Sequence, residues 1–428
     1  MKILHVSPGL QETCGVSQFV VNIARAQQIA GHTVVIVTTM TCGYPVEGLD
    51  VRLMPDPTKV DFTPEVVHIH TLWGFYTHKM AVWCRRHHLP YVISPHGALT
   101  KWALAYKWWK KLPALALYQY RDLKRAAGFH VTSEREREDF RRLRLSQPIA
   151  VAPLGIWLSD VAQPNYWATR SDPFRDVVFV GRIHPIKNLD GLLRAWALAR
   201  QDFSAATVTT IPWRPRLIIA GSNDVGHQEE LVALAKELGL TAVNFSQDLE
   251  FGKKQALGGG EVPVETFQKR LADCTADVVF TGPVYAAAKD WMFRHAWVSV
   301  LPSHTENFGG VVVESLAQGT PAIASMGTPW EIFELETPVA AISSQASNRT
   351  IKRSGVSLHR CGWWVAATID GILVGLRRGL SMSMSERGEM GMRAKALAED
   401  LYSWRSSAAT VMVLYSQLSE DKLLNKDF

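Results

Sequence analysis

Short apolar runs rich in β-branched residues alternate with amphipathic segments along most of this chain, and this alternation constrains the fold more than any other feature. The segment Lys2–Ser7 predicts a buried strand, and a loop connects it to a helix predicted from about Ser17 to Ala30. Because alternating strands and helices pair through right-handed crossovers, the pattern predicts an α/β fold with parallel sheets. Further strands in this half are predicted at Thr33–Thr39, Val66–His70, Tyr91–Ser94 and Ile149–Pro153.

The same pattern restarts after the polar segment Asp160–Asp176. A chain of 428 residues exceeds the size at which a single core stops growing, so two domains are expected. Two stretches interrupt the alternation: Ser204–Pro215 is interpreted as a loop extension, and Thr241–Arg270, with three consecutive glycines, as a mobile insertion. The second half is predicted to contain strands at Val177–Gly181, Arg216–Gly221, Asp277–Thr281, Trp297–Leu301 and Pro321–Ser325, and helices at Asn188–Arg200, His227–Leu238 and Gly309–Gln318.

Composition excludes several classes of protein. An apolar share of 47% with 20% charged residues is typical of a folded soluble chain. We find no apolar run of the roughly 18 residues that a bilayer-spanning helix needs, nor the longer apolar core of a signal peptide near the first methionine. Five scattered cysteines without a Cys-x-x-Cys pair argue against a zinc site or a disulfide framework, and fit a reducing cytoplasm.

Two glutamates, Glu306 and Glu314, bracket a Gly-Gly pair at the predicted start of an apolar helix. The unpaired N–H groups and positive dipole of a helix start attract phosphate, and glycines let a ligand approach the backbone. Carboxylates beside such a turn can accept hydrogen bonds from sugar hydroxyls. The segment therefore indicates a pocket for a sugar diphosphate, although simple helix capping explains two acids and two glycines equally well.

A basic segment, Gly181–Asn188, follows the first predicted strand of the second half and places Arg182 and Lys187 just before a helix. Guanidinium and ammonium groups in this position can stabilise the charge of a departing diphosphate without a metal. Considered by itself, the pair is better explained as solvated basic residues in a loop.

Together these strings resemble the signature of the retaining glycosyltransferases of family 4, which have the GT-B fold. The pattern from Leu301 to Pro321 is complete, and Gly181–Asn188 is similar to the family's Gly-Arg-(x)4-Lys-Asn motif. The resemblance implies two Rossmann-like domains with parallel sheets that face each other across a cleft. Residues 1–165 would form the acceptor-binding domain and residues 170–400 the nucleotide-sugar domain, with a final helix at about 403–428 packing back on the first.

The same resemblance assigns roles to individual residues. Glu306 would bind hydroxyls of the donor sugar near the transferred carbon, and Glu314 the ribose, while Arg182 and Lys187 would hold the diphosphate. His96, in a Pro-His-Gly turn, would contact the donor sugar. The implied catalytic residues are His96, Glu306, Arg182 and Lys187, and the implied donor-binding residues are Gly15, Gly282, Val284, Asn307, Phe308, Gly309, Gly310 and Glu314. The family usually carries Gly-Gly where this chain has Cys14-Gly15.

The implied reaction is transfer of a hexosyl group from a UDP- or GDP-linked sugar with retention of anomeric configuration. Acceptor and leaving phosphate would lie on the same face of the sugar, and the phosphate would take the acceptor proton. The chain contains no Asp-x-Asp, so we expect no metal and no other cofactor. A glycan or lipid-linked acceptor in cell-surface polysaccharide or lipopolysaccharide synthesis is expected. Two alternatives stay open: a nucleotide-sugar epimerase on the same fold, and a non-catalytic carbohydrate- or membrane-binding relative.

The basic residues of the chain are concentrated in one region. Between Lys79 and Arg144 lie 15 Lys or Arg and 5 Asp or Glu residues, whereas the whole chain has a formal net charge of +6. Within it, Lys101–Arg125 interleaves Trp and Tyr with basic residues, which suits an anionic membrane surface, a nucleic acid or a packed helix with snorkelling lysines. The resemblance favours the membrane, so we expect a cytoplasmic protein peripheral to the inner face of the plasma membrane, and no nucleic-acid partner.

Overall fold

The structure is a computed structural model, which describes residues 1–11, 14–42, 45–157, 174–206, 213–223, 225–245, 264–333 and 360–424. The chain divides into two compact units. Unit 1 consists of Met1–Trp157 and Tyr402–Phe428, and unit 2 of Leu158–Leu401. Among the helices of the described residues, none combines the length and apolar character needed to cross a membrane.

Unit 1 is built on a seven-stranded parallel sheet with the strand order β5-β3-β1-β6-β7-β8-β9, beside a two-stranded ribbon of β2 and β4. Its strands are β1 (Lys2–Val6), β2 (Leu10–Gln11), β3 (Thr33–Thr38), β4 (Thr41–Cys42), β5 (Asp50–Leu53), β6 (Val66–His70), β7 (Tyr91–Ser94), β8 (Gly128–Val131) and β9 (Ile149–Val151). Its helices are α1 (Gly15–Ile29), α2 (Phe75–Arg86), α3 (Lys101–Ala105), α4 (Trp108–Ala114), α5 (Tyr120–Lys124), α6 (Glu134–Arg142) and the C-terminal α14 (Trp404–Leu424).

Unit 2 repeats this plan with the order β12-β13-β11-β10-β14-β15-β16, again parallel throughout. Its strands are β10 (Phe174–Val180), β11 (Arg214–Ala220), β12 (Ala242–Asn244), β13 (Val278–Gly282), β14 (Val298–Leu301), β15 (Ala322–Ser325) and β16 (Gly362–Val365). Its helices are α7 (Leu189–Ala206), α8 (His227–Glu237), α9 (Val264–Ala272), α10 (Ala286–His295), α11 (Gly310–Ala317), α12 (Ile369–Leu380) and α13 (Met384–Leu401).

The C-terminal helix α14 completes the core of unit 1. Trp404 and Tyr415 are fully buried and pack in one apolar cluster with Phe19 of α1. The rings of Phe19 and Trp404 lie edge to face, with centroids 5.7 Å apart. Removal of this much aromatic surface from water makes α14 part of the folding unit formed by the N-terminal residues.

The predicted fold class, two Rossmann-like halves with parallel sheets, is confirmed. The interpretation of Thr241–Arg270 as an insertion is wrong at both ends of that segment. Ala242–Asn244 pairs with β13 as an edge strand, and Val264–Ala272 is a helix that buries Phe267 and Leu271. Residues 246–263 lie outside the described part of the chain.

Each sheet has a topological switch point, where successive connections leave in opposite directions. In unit 1 it lies between β1 and β6, and in unit 2 between β10 and β14. In open parallel sheets, ligands bind beyond the carboxyl ends of the strands at this point, because the diverging loops leave a crevice there. Most of the predicted site residues lie in loops or helix starts that follow strands.

Candidate functional site

In unit 2, the loops that follow β10 and β14 are joined at the switch point. The backbone N–H of His304 donates to the carbonyl of Ile186 over 2.9 Å. The side-chain amide of Asn188 donates to the carbonyl of Pro302 over 3.1 Å. Two segments more than a hundred residues apart are thereby held in register, and each carries one of the predicted charged residues.

Lys187 and Glu306 form an ion pair across these two loops, from Nζ to Oε1. Ser303 Oγ donates to the same carboxylate oxygen over 3.0 Å, and the Glu306 N–H donates to the carbonyl of Gly327 over 2.9 Å. The lysine and glutamate side chains are 15% and 16% exposed, so both are accessible to a ligand yet held by protein contacts. The structure therefore brings together a predicted diphosphate ligand and a predicted sugar ligand.

The Gly-Gly turn before α11 needs glycine for steric reasons. Gly309 has φ 79°, and a Cβ added there would lie 2.7 Å from Cδ2 of Leu301. The buried side chain of Trp330 holds the turn in place, since its Nε1 donates to the carbonyl of Phe308 over 2.9 Å. The backbone N–H groups at the start of α11, from Gly310 on, therefore follow a turn that is fixed by its packing. Gly309 has no side chain that could cover them.

Glu314 lies inside α11 and pairs with Lys289 of α10, with Nζ 2.9 Å from Oε1. Burial by itself would lower the pKa of Lys289, but the nearby carboxylates of Glu314 and Asp290 raise it above its usual value. Burial also raises the pKa of Asp290. Lys289 was missed at the sequence level because a single lysine in the middle of a helix matches no motif.

The remaining predicted residues of unit 2 lie at strand ends or beside the Gly-Gly turn. Arg182 is exposed and lies two residues after the end of β10, and Asn307 is half-buried. Gly282 ends β13 with φ 74°, and Val284 is buried two residues later. These positions suit a ligand at the carboxyl edge of the sheet.

In unit 1, His96 follows β7 in the left-handed conformation, with φ 51°. Such a backbone is uncommon for residues other than glycine and recurs at ligand sites. Glu136 stabilises it, because its buried carboxylate accepts hydrogen bonds from the N–H of Gly97 over 2.6 Å and of Thr132 over 2.8 Å. Glu136 was not predicted, although Ser133-x-x-Glu136 has the spacing of a helix capping box, and Ser133 caps α6 here.

Gly15 begins α1 at the switch point of unit 1. A Cβ added at Gly15 meets no atom within 4 Å, so packing alone does not require glycine at this position. Cys14 is the N-cap residue and makes no side-chain capping bond. A requirement for glycine here would therefore come from a ligand.

The segment from α3 to α5 exposes aromatic and apolar side chains beside lysines. Trp108 and Trp109 are each 56% exposed, Leu112 is 55% and Leu117 is 81% exposed, and no residue of α4 is buried. Pro113 lies inside α4, and a π-helical turn, Leu115–Gln119, follows it. We call Lys107, Trp108, Trp109, Lys110, Leu112 and Leu117 the basic-aromatic surface.

Two family models match the chain. The model described as "Glycosyl transferase 4-like domain" matches residues 14–155, and the model described as "Glycosyl transferases group 1" matches residues 256–334. The first range contains Gly15 and His96, and the second contains Gly282, Glu306 and Glu314. Arg182 and Lys187 lie between the two matched ranges.

Curated relatives include the D-inositol 3-phosphate glycosyltransferases of Mycobacterium bovis and Mycobacterium tuberculosis. They are 28% identical to this chain over 246 residues, which covers 56% of this chain and 37% of the relative. The chain thus spans little more than a third of the length of these relatives.

Solved structures of similar fold cover almost the whole chain. HepE of Anabaena in complex with UDP and glucose has a TM-score of 0.64 at 13% identity, covering 97% of this chain and 100% of that chain. Sucrose-phosphate synthase of Thermosynechococcus elongatus has a TM-score of 0.60 at 16% identity, covering 97% and 98%. WaaG, a glycosyltransferase involved in lipopolysaccharide biosynthesis, has a TM-score of 0.56 at 14% identity, covering 96% and 99%. At these identities the likeness shows a shared fold.

Proposed function

This chain belongs to the GT-B-fold glycosyltransferases of the family 4 type, and from that premise we propose that it transfers a hexosyl group from a nucleotide-diphosphate sugar to a glycan or lipid-linked acceptor. We propose further that transfer retains the anomeric configuration and takes place in cell-surface polysaccharide synthesis. The family membership of both halves supports the reaction class. The polysaccharide assignment is supported by neighbours such as WaaG, which shares the fold.

The observation that carries the proposal is the Lys187–Glu306 pair at the switch point of unit 2. A nucleotide sugar presents a dianionic diphosphate next to neutral hydroxyl groups. A cation beside a carboxylate matches that arrangement, because ammonium binds phosphate oxygens and carboxylate accepts from hydroxyls. A sugar without a diphosphate carries no negative charge for Lys187 to neutralise.

The other predicted residues have proposed roles toward the same donor. Arg182, Lys187 and the amides of Gly309 and Gly310 would stabilise the departing diphosphate by charge and by N–H donors. Glu306 and His96 would orient the transferred sugar, and Glu314, held by Lys289, would bind the ribose. The turn at Gly282 and Val284 would accommodate the base, with Asn307 and Phe308 beside the sugar and Gly15 near the phosphates. Since these groups supply the positive charge, the proposed reaction needs no metal and no cofactor.

The basic-aromatic surface supports a second part of the proposal, peripheral binding to anionic membrane on the cytoplasmic side. Exposed tryptophans suit the interfacial layer of a bilayer, and lysines attract its anionic headgroups. A lipid-linked acceptor would be presented at such a surface.

The donor can be identified by thermal shift with a panel of UDP-, GDP- and ADP-sugars, because a ligand that binds only the folded state raises Tm. With the donor known, Lys187→Ala and Arg182→Ala should each lower turnover by about a hundredfold or more, as expected when one charge-stabilising contact is lost. The control Lys236→Ala removes an exposed lysine of α8 in the same unit and should leave turnover unchanged.

Three outcomes would contradict the proposal. If Lys187→Ala and Arg182→Ala both keep turnover within a few-fold of wild type, these residues do not form the diphosphate site. A rearranged nucleotide sugar released without an acceptor would indicate an epimerase. Donor binding without any turnover would indicate a non-catalytic relative.

A further inference from the structure

Unit 1 contains a cluster of five histidines around the switch point. His5 lies on β1, His68 and His70 on β6, His96 after β7 and His130 on β8, and all except His96 are completely buried. Burial lowers the pKa of His5 to about 4, of His96 to about 3 and of His130 to about 4, and that of His68 and His70 well below the usual value. Each ring is therefore neutral at pH 7, with one N–H donor and one lone pair.

One chain of hydrogen bonds starts at a backbone carbonyl, which can only accept. Nε2 of His130 lies 2.8 Å from the carbonyl of Ala152, so Nε2 carries the proton and Nδ1 is an acceptor. Ser94 Oγ then donates to His130 Nδ1 over 2.6 Å and accepts from His68 Nε2 over 2.6 Å. His68 Nδ1 is left to accept from the hydroxyl of Tyr415. Every proton in this chain is assigned.

A second chain leads to His96. The side-chain oxygen of Gln27 lies 2.8 Å from Nε2 of His5, so His5 donates there and Nδ1 is its acceptor. His70 Nε2 donates to that Nδ1 over 2.9 Å, which leaves His70 Nδ1 as an acceptor. The Nε2 of His96, 3.1 Å from His70 Nδ1, is then the donor. The lone pair of His96 Nδ1 is the group that this chain leaves for a ligand.

We propose that Gln27, His5 and His70 are positioning residues that hold His96 in its Nε2–H tautomer, so that Nδ1 accepts a hydrogen bond from a hydroxyl of the donor sugar. This inference rests on the proposed function for the identity of the ligand, and on the hydrogen-bond geometry of neutral rings for the tautomer. The ring is constrained from both sides. His70 fixes the nitrogen that donates, and Glu136 fixes the backbone through Gly97.

The same cluster offers three ligand atoms, from His5, His68 and His70, within 4.8 Å of one another, which raises the question of a metal. A metal needs three lone pairs that converge on one point. Here His5 and His70 share one proton in a hydrogen bond, and both nitrogens of His68 are bonded to Tyr415 and Ser94. The hydrogen-bonded network therefore accounts for these nitrogens without an ion.

The tautomer can be measured directly by ¹⁵N NMR of histidine-labelled protein without donor. The His96 signals are identified by their absence in His96→Gln. We expect a protonated Nε2 and an unprotonated Nδ1, unchanged by EDTA or by added Zn²⁺. A protonated Nδ1, or a shift of the cluster's signals with Zn²⁺, would overturn the inference. This measurement uses only one variant, His96→Gln, and needs no active donor.

Two matched variants test the consequence for turnover. His70→Phe removes the partner of His96, and His130→Phe removes a buried histidine of equal size that hydrogen-bonds elsewhere. We expect His70→Phe to change the His96 signals and to lower kcat about tenfold or more, while the Kd of the free nucleoside diphosphate stays within about twofold. His130→Phe should leave the His96 signals and kcat close to wild type.

The milder variant Gln27→Met removes the acceptor of His5 and should give a mixture of His96 tautomers. If His70→Phe and His130→Phe lose kcat equally, the network only stabilises the fold, and the positioning role is overturned. If the wild-type protein transfers no sugar while the NMR shows the expected tautomer, the proposed function is wrong, but the network still holds His96 in its Nε2–H tautomer.

Discussion

At the residue scale, the proposed donor site depends on a competition for Lys187. In the structure its ammonium pairs with the Glu306 carboxylate, which is also held by Ser303. A diphosphate bound at the start of α11 would compete with that carboxylate for the same cation. Glu306 would therefore oppose diphosphate binding slightly while it serves the transferred sugar.

This competition predicts opposite effects of Glu306→Gln on binding and on turnover. Glutamine has the same shape but no charge, so it cannot hold Lys187 as an ion pair. We expect the nucleoside diphosphate to bind as tightly as in wild type or more tightly, by calorimetry, while turnover falls about a hundredfold. Glu237→Gln, an exposed neutralisation on α8, is the control. Weaker diphosphate binding in Glu306→Gln would contradict the competition.

Gly309 offers a second test at the same scale. Gly309→Ala puts a Cβ against Leu301 at a positive φ, so the turn must shift, and the left-handed conformation costs alanine about 1–2 kcal/mol. We expect donor affinity measured by thermal shift to fall at least tenfold. Gly388→Ala in α13 meets no atom within 4 Å, and it should stabilise the helix by up to about 1 kcal/mol with donor affinity unchanged. Unchanged donor affinity in Gly309→Ala would show that the turn at Gly309 does not contribute to donor binding.

At the element scale, several buried strands were predictable, whereas the short edge strand β12 was not. Val66–His70 and Tyr91–Ser94 have the predicted bounds because β-branched residues fill both faces of a buried parallel strand. β12 was interpreted as part of an insertion, because its three residues sit at the sheet edge and are not buried. Likewise, a sequence could assign Lys187 and Glu306 to loops after strands, but not the contact between residues 119 positions apart.

The exposure of α4 leads to a prediction about membranes. The triple variant Trp108→Ser, Trp109→Ser, Leu112→Ser removes the apolar contacts that would insert between headgroups, and should abolish co-sedimentation with vesicles containing anionic lipid. Lys107→Glu with Lys110→Glu should weaken binding most at low salt, since screening already reduces the attraction at high salt.

The matched control for the triple variant is Met392→Ser, which replaces a side chain that is 59% exposed in unit 2 and should sediment like wild type. If the wild-type protein stays in the supernatant with anionic vesicles at low salt, the proposed membrane binding is contradicted. If the wild-type protein sediments equally with neutral and with anionic vesicles, Lys107 and Lys110 do not contribute electrostatic attraction.

At the scale of the whole molecule, the family and the repeated α/β plan could be predicted from motifs and periodicity, whereas the histidine cluster could not. His68 and His70 are two residues apart on one strand and therefore share a face, which was a visible signal. Their meeting with His5, His96 and His130 depends on the strand order of the sheet, in which β1, β6, β7 and β8 are consecutive neighbours. Strand order is a tertiary property that no local pattern encodes.

This cluster predicts that unit 1 loses stability in mild acid. The unfolded histidines bind protons below pH 6.5, whereas burial lowers the folded pKa of His5 and of His130 to about 4. Between these values the unfolded state binds more protons, so the free energy of unfolding falls as pH falls from about 6.5 toward 4. We expect Tm, followed by circular dichroism from pH 7.5 to 4.5, to decline across this window. His130→Phe should start from a lower Tm at pH 7.5, because it loses the bonds to Ser94 and Ala152, but its decline should be shallower since one buried neutral ring is gone. A wild-type Tm that stays constant across the window, or an equal slope in the variant, would show that the buried histidines do not govern acid stability.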